Sequence, residues 1–280
     1  VITDWTLVEA CSGGASLSLW ACGVRRRPVP YFGSKWSVRR ELAGMLPSLG
    51  FVGAPSDVVL CDPGPWPIAL KQLFNWRMRQ EVVRLLGEIN AMAPADALAH
   101  LQGGAVPRSD AQAAAEFLWL QRMSFSAKPV GWSGGVWRSP GLNLTSAIGL
   151  SATESFGAVR PMGLALVDTL QRDWNDVPPC LPITRCVDAA DSIACAGAGA
   201  LVYIDPPYQE TTGYPDGDLD RAAVIELATA CRDRGAAVMV SEAEPLPIPG
   251  FSHRRIATLA LRSRTAKPRE EWITYARAAH

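Results

Sequence analysis

The sequence predicts an α/β protein, a doubly wound and mostly parallel sheet carrying an inserted subdomain. Three observations predict it. Short apolar, β-prone runs alternate with helical patterns at both ends of the chain. Five of those runs end in an acid, at Glu9, Asp62, Asp188, Asp205 and Glu242. Between residues 93 and 176 the pattern changes, and then it resumes. The expected division is one domain from 1–92 and 177–280, with an insert over 93–176. At 280 residues and 48% apolar content the chain has room for a large core and is too apolar for disorder.

No apolar run reaches the length of a membrane span, and residues 1–20 lack a basic leader region. No membrane partner or export signal is therefore expected. Seven cysteines, scattered and without a C-x-x-C, point to reduced thiols, a cytoplasmic setting and no zinc site. Three widely spread histidines (His100, His253, His280) give no metal or triad constellation. Basic and acidic residues balance at 27 each, so a nucleic-acid contact has to come from local clusters. Arg25-Arg26-Arg27, Lys35 with Arg39-Arg40, Arg77 with Arg79 and Arg84, and Arg254-Arg255 through Arg269 are such clusters.

Taken in order, residues 6–10 predict a buried strand, with Gly13-Gly14 turning the chain into a helix near Ala15. A glycine pair lets backbone approach a ligand, and a helix start offers it N–H groups. Most such pairs are only turns; Glu9 just before this one favours binding. Pro28 and Pro30 bring an extended entry, Gly33 a turn, and Ser34 an N-cap for one helix running to Leu46. Tyr31, Lys35 and Trp36 meet at that junction, where the plainer reading is a core Trp36 and a solvated Lys35. Residues 57–62 are the second strand, broken by Pro63-Gly64-Pro65. One long helix follows over about 68–92, with an apolar stripe from Leu70 to Ile89, and Pro94 ends it.

The insert carries one plain helix, residues 111–123. Residues 127–163 are rich in Gly, Ser and Pro and too long for an ordinary connection. Arg122, Lys128 and Arg138 interleave there with Phe125, Trp132 and Trp137, which fits nucleic-acid contact. A loop packed down by its own tryptophans accounts for the same residues equally well. The α/β pattern resumes with a strand at 183–188, a short helix, a strand at 201–204 and a polar loop at 211–218. A helix ending at Gly235, a strand at 236–242 and an antiparallel closing pair complete the chain.

The chemistry centres on Asp205-Pro206-Pro207-Tyr208, which stops the 201–204 strand at its carboxyl end. Neither proline donates to a ladder and each fixes its own φ. The result is a rigid corner presenting a carboxylate, a free proline carbonyl and an aromatic face, suited to a planar base that bears an amino group. In a parallel sheet the strand carboxyl ends share one edge, where ligands bind. Five carboxylates there repel one another unless given donors. Each alone fits a helix cap; their repetition points to a crevice. S-adenosylmethionine brings suitable donors: ribose hydroxyls, an adenine amine, an ammonium and a sulfonium. The absence of G-x-G-x-x-G and of a P-loop lysine argues against NAD and ATP.

On these residues the chain resembles the Dam-like (D12 class) adenine-N6 DNA methyltransferases, most closely phage-type members. LVEACSGGASLSL resembles the family's cofactor loop, with Ala10-Cys11 where Pro-Phe is usual. VPYFGSKWSVRREL resembles the segment at the methionine end of the cofactor, and VVLCDPGPW the strand whose acid, Asp62, binds the ribose. DAADSIACAGAGALVYIDPPY is similar to the acidic adenine-ring loop followed by the catalytic tetrapeptide. FLWLQRMSFSAKPVGWSGGVWRSPG is similar, more loosely, to the target-recognition region. In the family the PYFGSK-like segment precedes the glycine loop; here it follows it.

The resemblance implies a Rossmann-like class I methyltransferase fold, S-adenosyl-L-methionine as cofactor and double-stranded DNA as partner, with adenine N6 methylated after base flipping. It places Glu9, Ala10, Cys11, Gly13, Gly14, Tyr31, Lys35, Asp62, Asp188 and Asp191 at the cofactor. Asp188 is preferred over Asp191 at the adenine ring because it ends a strand. Asp205, Pro206, Pro207 and Tyr208 are the catalytic set, and Arg122, Lys128, Trp132, Trp137, Arg138 and Tyr214 the DNA-binding set. The alternatives are amine methylation of cytosine N4 or of RNA bases, and a catalytically silent DNA-binding homologue.

Overall fold

Continuous apolar runs become strands buried on both faces, and here they align into one sheet. In the computed structural model β1 (Thr6–Ala10), β2 (Asp57–Cys61), β5 (Ile183–Cys186), β6 (Ala200–Ile204) and β7 (Ala237–Glu242) run parallel. β8 (Ser252–Leu259) and β9 (Arg269–Ala276) close the sheet antiparallel, and β3 (Gly131–Ser133) and β4 (Val136–Arg138) form a separate hairpin. The structure describes residues 1–29, 34–92, 94–102, 109–123, 131–133, 136–138, 163–174, 177, 182–206, 219–259 and 269–278. The strand order is β5-β2-β1-β6-β7-β9-β8. The chain builds outward in one direction from β1 and in the other from β6. The topological switch point therefore lies between β1 and β6.

This unit comprises residues 1–22, 35–63 and 183–280. On one face Val8, Val59, Val202, Ile204, Val238 and Val240 bury against Val224, Leu227, Ala228 and Cys231 of α10 (Arg221–Asp233). By strand alternation Leu7, Glu9 and Tyr203 face the other way, and Glu9 there meets α1 (Ser16–Ala21). A 3-10 turn at Ala189–Asp191 and a short helix α9 (Ser192–Cys195) follow β5. The single helix expected from Ser34 to Leu46 is instead three pieces: a 3-10 turn (Lys35–Val38), α2 (Arg39–Ala43) and α3 (Leu46–Leu49). Arg39 folds back to donate to the Trp36 carbonyl. Its guanidinium lies 4.8 Å from the Trp20 ring centre and 4.5 Å from that of Trp36, which holds the break.

The second unit comprises residues 23–34 and 64–182. It contains α4 (Trp66–Phe74), α5 (Trp76–Ala91), α6 (Pro94–Gln102), α7 (Asp110–Met123), the hairpin β3 (Gly131–Ser133) and β4 (Val136–Arg138), and α8 (residues 163–172). The long helix expected over 68–92 breaks at Asn75, whose backbone is extended and whose side chain accepts the amides of Arg77 and Met78 at 3.1 and 3.3 Å. Asparagine is among the best helix caps, and here it starts a new helix within an apolar stripe. Pro94 does follow the end of α5, but it also opens α6, where a missing N–H costs nothing. Residues 64–92, assigned by the sequence to the first domain, belong to this unit because they pack on α7. Trp66 meets Phe117 at 5.5 Å between ring centres, and Trp119 Nε1 donates to Asn90 Oδ1 at 3.1 Å. Among the described residues no helix is long and apolar enough to cross a membrane, and no side-chain cluster could hold a metal ion.

Candidate active site

The loop leaving β1 sits at the switch point and is held from both neighbouring strands. Ser12 N donates to the Cys61 carbonyl at 3.3 Å, Gly13 N to Asp62 Oδ2 at 2.9 Å, and Asp205 N to the Ala10 carbonyl at 3.3 Å. Three of its residues take positive φ: Cys11 at 58°, Gly13 at 43° and Ala15 at 45°. Two of these are not glycine. Such backbone persists only where surrounding contacts over-determine it.

Glu9 lies beneath this loop, 1% exposed. Its Oε1 accepts the amides of Leu17 and Ser18, both at 3.0 Å. Ala15 offers α1 no side-chain cap, so the carboxylate reaches up from the strand to serve as one. The helix amides that the sequence reading aimed at a ligand are thus taken by Glu9. Burial pushes the Glu9 carboxyl up to about 8, with the Ser18 and Leu17 hydrogen bonds opposing and the charge of Asp205 adding to the rise. Glu9 Oε2 and the Ser18 hydroxyl are both buried beneath the loop.

Cys11 marks where the other acids converge. Burial raises its thiol, and Asp205, Asp62 and Asp188 each raise it further by their charge. Asp62 is half-buried, while Asp188 and Asp191 are exposed. These last two form a reciprocal cap: Asp188 Oδ1 accepts Ala190 N at 2.9 Å, and Asp191 Oδ2 accepts Asp188 N at 3.1 Å. Both acids therefore support the backbone after β5 while remaining open to solvent. Gly14 and Ala10 are buried in the loop and strand that they shape.

Lys35 departs most from expectation. It is 5% exposed rather than solvated, and its Nζ lies 2.6 Å from Asp205 Oδ1 and 3.7 Å from Glu271 Oε1. It thus pairs with the acid of the tetrapeptide, where the resemblance implied the methionine end of a cofactor. Glu271 Oε1 also accepts the Ser241 hydroxyl. Glu242, at the end of β7, is raised by burial, with the Ala243 amide, Lys35 and Arg221 opposing and Asp205 adding to the rise.

Glu9, Ala10, Cys11, Gly13, Gly14, Lys35, Asp62, Asp188, Asp191, Asp205 and Pro206 all lie in the sheet unit, at or beneath one edge. Tyr31, Lys128, Pro207, Tyr208 and Tyr214 lie outside the described residues. In the helical unit, Arg122 is in the last turn of α7, half-buried, and burial lowers its pKa. Trp132 and Trp137 are register partners in the hairpin, and Arg138 ends it. Glu271 is not legible in the sequence as a site residue: the visible pattern is acids at the carboxyl ends of parallel strands, and Glu271 reaches the same edge from the amino end of an antiparallel one.

No family model matches the chain, and no curated protein matches it. Among solved structures it is similar to the rRNA methyltransferase aviRa from Streptomyces viridochromogenes. Identity is 14%, covering 98% of this chain and 78% of that one, with a TM-score of 0.33. It is also similar to a conserved hypothetical protein from Streptococcus pyogenes, 13% identical over 46% of this chain and 71% of that one, TM-score 0.21.

Proposed function

We propose that the chain is an S-adenosylmethionine-dependent methyltransferase of exocyclic base amines, with adenine N6 in double-stranded DNA as its target. The observation that carries this reading is the setting of Asp205. It stands at the carboxyl end of β6, beside the β1 loop at the switch point, with one carboxylate oxygen held by Lys35 Nζ at 2.6 Å. The donor set suits the cofactor. Asp62 and Asp188 are carboxylates that ribose hydroxyls and an adenine amine would satisfy, and the convergence of acids on Cys11 favours a cationic methionine end.

S-adenosylmethionine, when bound, supplies an electrophilic methyl on a sulfonium. The chain's own part is positional. An adenine amine is a poor nucleophile because its lone pair is delocalised into the ring. The Asp205 carboxylate and the Pro206 carbonyl are acceptors for its two hydrogens, and holding both favours a pyramidal nitrogen. With Lys35 Nζ 2.6 Å from one of its oxygens, Asp205 accepts a hydrogen bond from the amine and receives the proton only as the nitrogen becomes acidic. Tyr208 is assigned to stack on the flipped base. Arg122, Lys128, Trp132, Trp137, Arg138 and Tyr214 are assigned to the DNA.

The test is transfer of labelled methyl to duplexes lacking adenine, duplexes lacking cytosine, and RNA. Label is expected wherever duplex DNA contains adenine. Asp205→Ala should lose about a thousandfold in turnover while cofactor affinity, measured by calorimetry, stays unchanged. Label in adenine-free duplexes would move the reading to cytosine N4, and label in RNA alone to an RNA amine. Full methylation by Asp205→Ala would refute the mechanism.

A further inference from the structure

A chain of polar groups runs inward from Asp205. Asp205 Oδ1 meets Lys35 Nζ at 2.6 Å, Lys35 Nζ lies 3.7 Å from Glu271 Oε1, and that oxygen accepts the Ser241 hydroxyl. The groups come from β6, the 3-10 turn at Lys35, β9 and β7. Burial deepens along the row: the Asp205 side chain is 18% exposed, that of Lys35 6% and that of Glu271 1%.

We infer that Glu271 is a positioning residue for the transfer reaction, acting through Lys35. The inference rests on the amine-methylation reading above. A lysine is a point charge on a flexible four-carbon stem with three rotatable donors. With Asp205 as its sole anchor, the ammonium and the carboxylate would be free to swing together. Glu271 supplies a second anion from behind, on a strand paired with both neighbours, and Ser241 fixes which oxygen faces the lysine. Lys35 is thereby held against Oδ1 of Asp205. The shorter distance makes the contact to Asp205 the close ion pair, and the one to Glu271 a longer electrostatic tether. Glu271 touches no reacting atom in this scheme; its effect is on where Asp205 stands.

Glu271→Gln removes the charge while keeping the side chain's shape and an oxygen for Ser241. Turnover and KM are measured for the wild type, Glu271→Gln, Glu271→Asp, Lys35→Met and the Lys35→Met/Glu271→Gln double variant, with urea unfolding midpoints for each. Glu271→Gln should lower kcat by about a hundredfold, the scale of a misplaced catalytic group, with KM for cofactor unchanged. Glu271→Asp restores the charge and should recover part of that loss. In the Lys35→Met background, Glu271→Gln should cost no further kcat. It should also raise the unfolding midpoint, because it removes a buried carboxylate deprived of its cation. A wild-type kcat for Glu271→Gln overturns the inference, as do losses in kcat that simply multiply in the double variant. A wild type that methylates no nucleic acid overturns the functional reading itself, and the unfolding cycle still reports whether Glu271 and Lys35 are coupled.

Discussion

Replacing Glu9 by glutamine keeps the shape of the side chain and removes its titration. In the folded protein this carboxyl stands at about 8 against an ordinary 4.5, chiefly because it is buried. Between those pH values the unfolded chain releases the proton and the folded chain retains it. The unfolded state then binds fewer protons, so stability falls as pH rises. The loss begins near the ordinary value and is complete near the raised one, above which both states are ionised. At 1.36 kcal/mol per pH unit the interval amounts to roughly 5 kcal/mol. Water entry and local relaxation reduce this, and ~3 kcal/mol is a realistic measured effect. Glutamine keeps an oxygen for the Leu17 and Ser18 amides, and its NH2 can donate to the buried Ser18 hydroxyl. Urea unfolding at about pH 5, 7 and 9 makes the comparison. The expected result is near-equal stability at the acid end and a growing advantage for Glu9→Gln toward the alkaline end. Parallel pH profiles for the two proteins would refute the assignment of a buried, proton-retaining carboxyl to Glu9.

Two further predictions concern the helical unit. A Cβ at Gly163 would fall on the Asn90 side-chain amide, whose oxygen already accepts Trp119 Nε1 at 3.1 Å. Gly163→Ala should therefore cost about 1–3 kcal/mol in urea unfolding, and an unchanged midpoint would contradict the close approach of α8 to α5. Asn75→Ala uncaps the Arg77 and Met78 amides and should cost about 1 kcal/mol. Asn75→Asp should restore most of that, and an equal loss in both variants would mean that the side chain matters for something other than capping.

The strands were legible because burial on both faces leaves an unbroken apolar run. Thr6–Ala10, Asp57–Cys61 and Ala237–Glu242 stand within a residue of where the sequence put them. Helix continuity was less legible. Asn75 sits inside an apolar stripe, and its capping role exists only once the chain has turned there. Pro94 reads as a stop and also serves as a start, which hides α6, and α8 (residues 163–172) begins where the Gly/Ser/Pro-rich stretch of residues 127–163 ends, which masks its apolar pattern. At the site, the identities of the acids were legible and their tasks were not. Glu9 looked like a ligand contact because nothing in the sequence shows α1 returning over it. Lys35 looked solvated because its partners, Asp205 and Glu271, are distant along the chain.

The acids at this edge have answered their mutual repulsion in different ways, and those ways bear on the class of ligand. Glu9 holds its proton up to about 8. Asp62 accepts the Gly13 amide, and Asp188 and Asp191 each accept backbone amides in their shared cap. Asp205 and Glu271 share Lys35, which also tempers the rise at Glu242. With Lys35 committed to two carboxylates, it is poorly placed to neutralise a bound phosphate. A triphosphate would bring further negative charge to an edge where the charge of Asp205 already adds to the rise at Glu9 and Glu242. A ligand bearing an ammonium and a sulfonium brings charge of the opposite sign, and its hydroxyls and amine bring donors for the remaining acceptor sites. The charges at this edge, those of Asp205 included, thus favour a cationic ligand over a triphosphate.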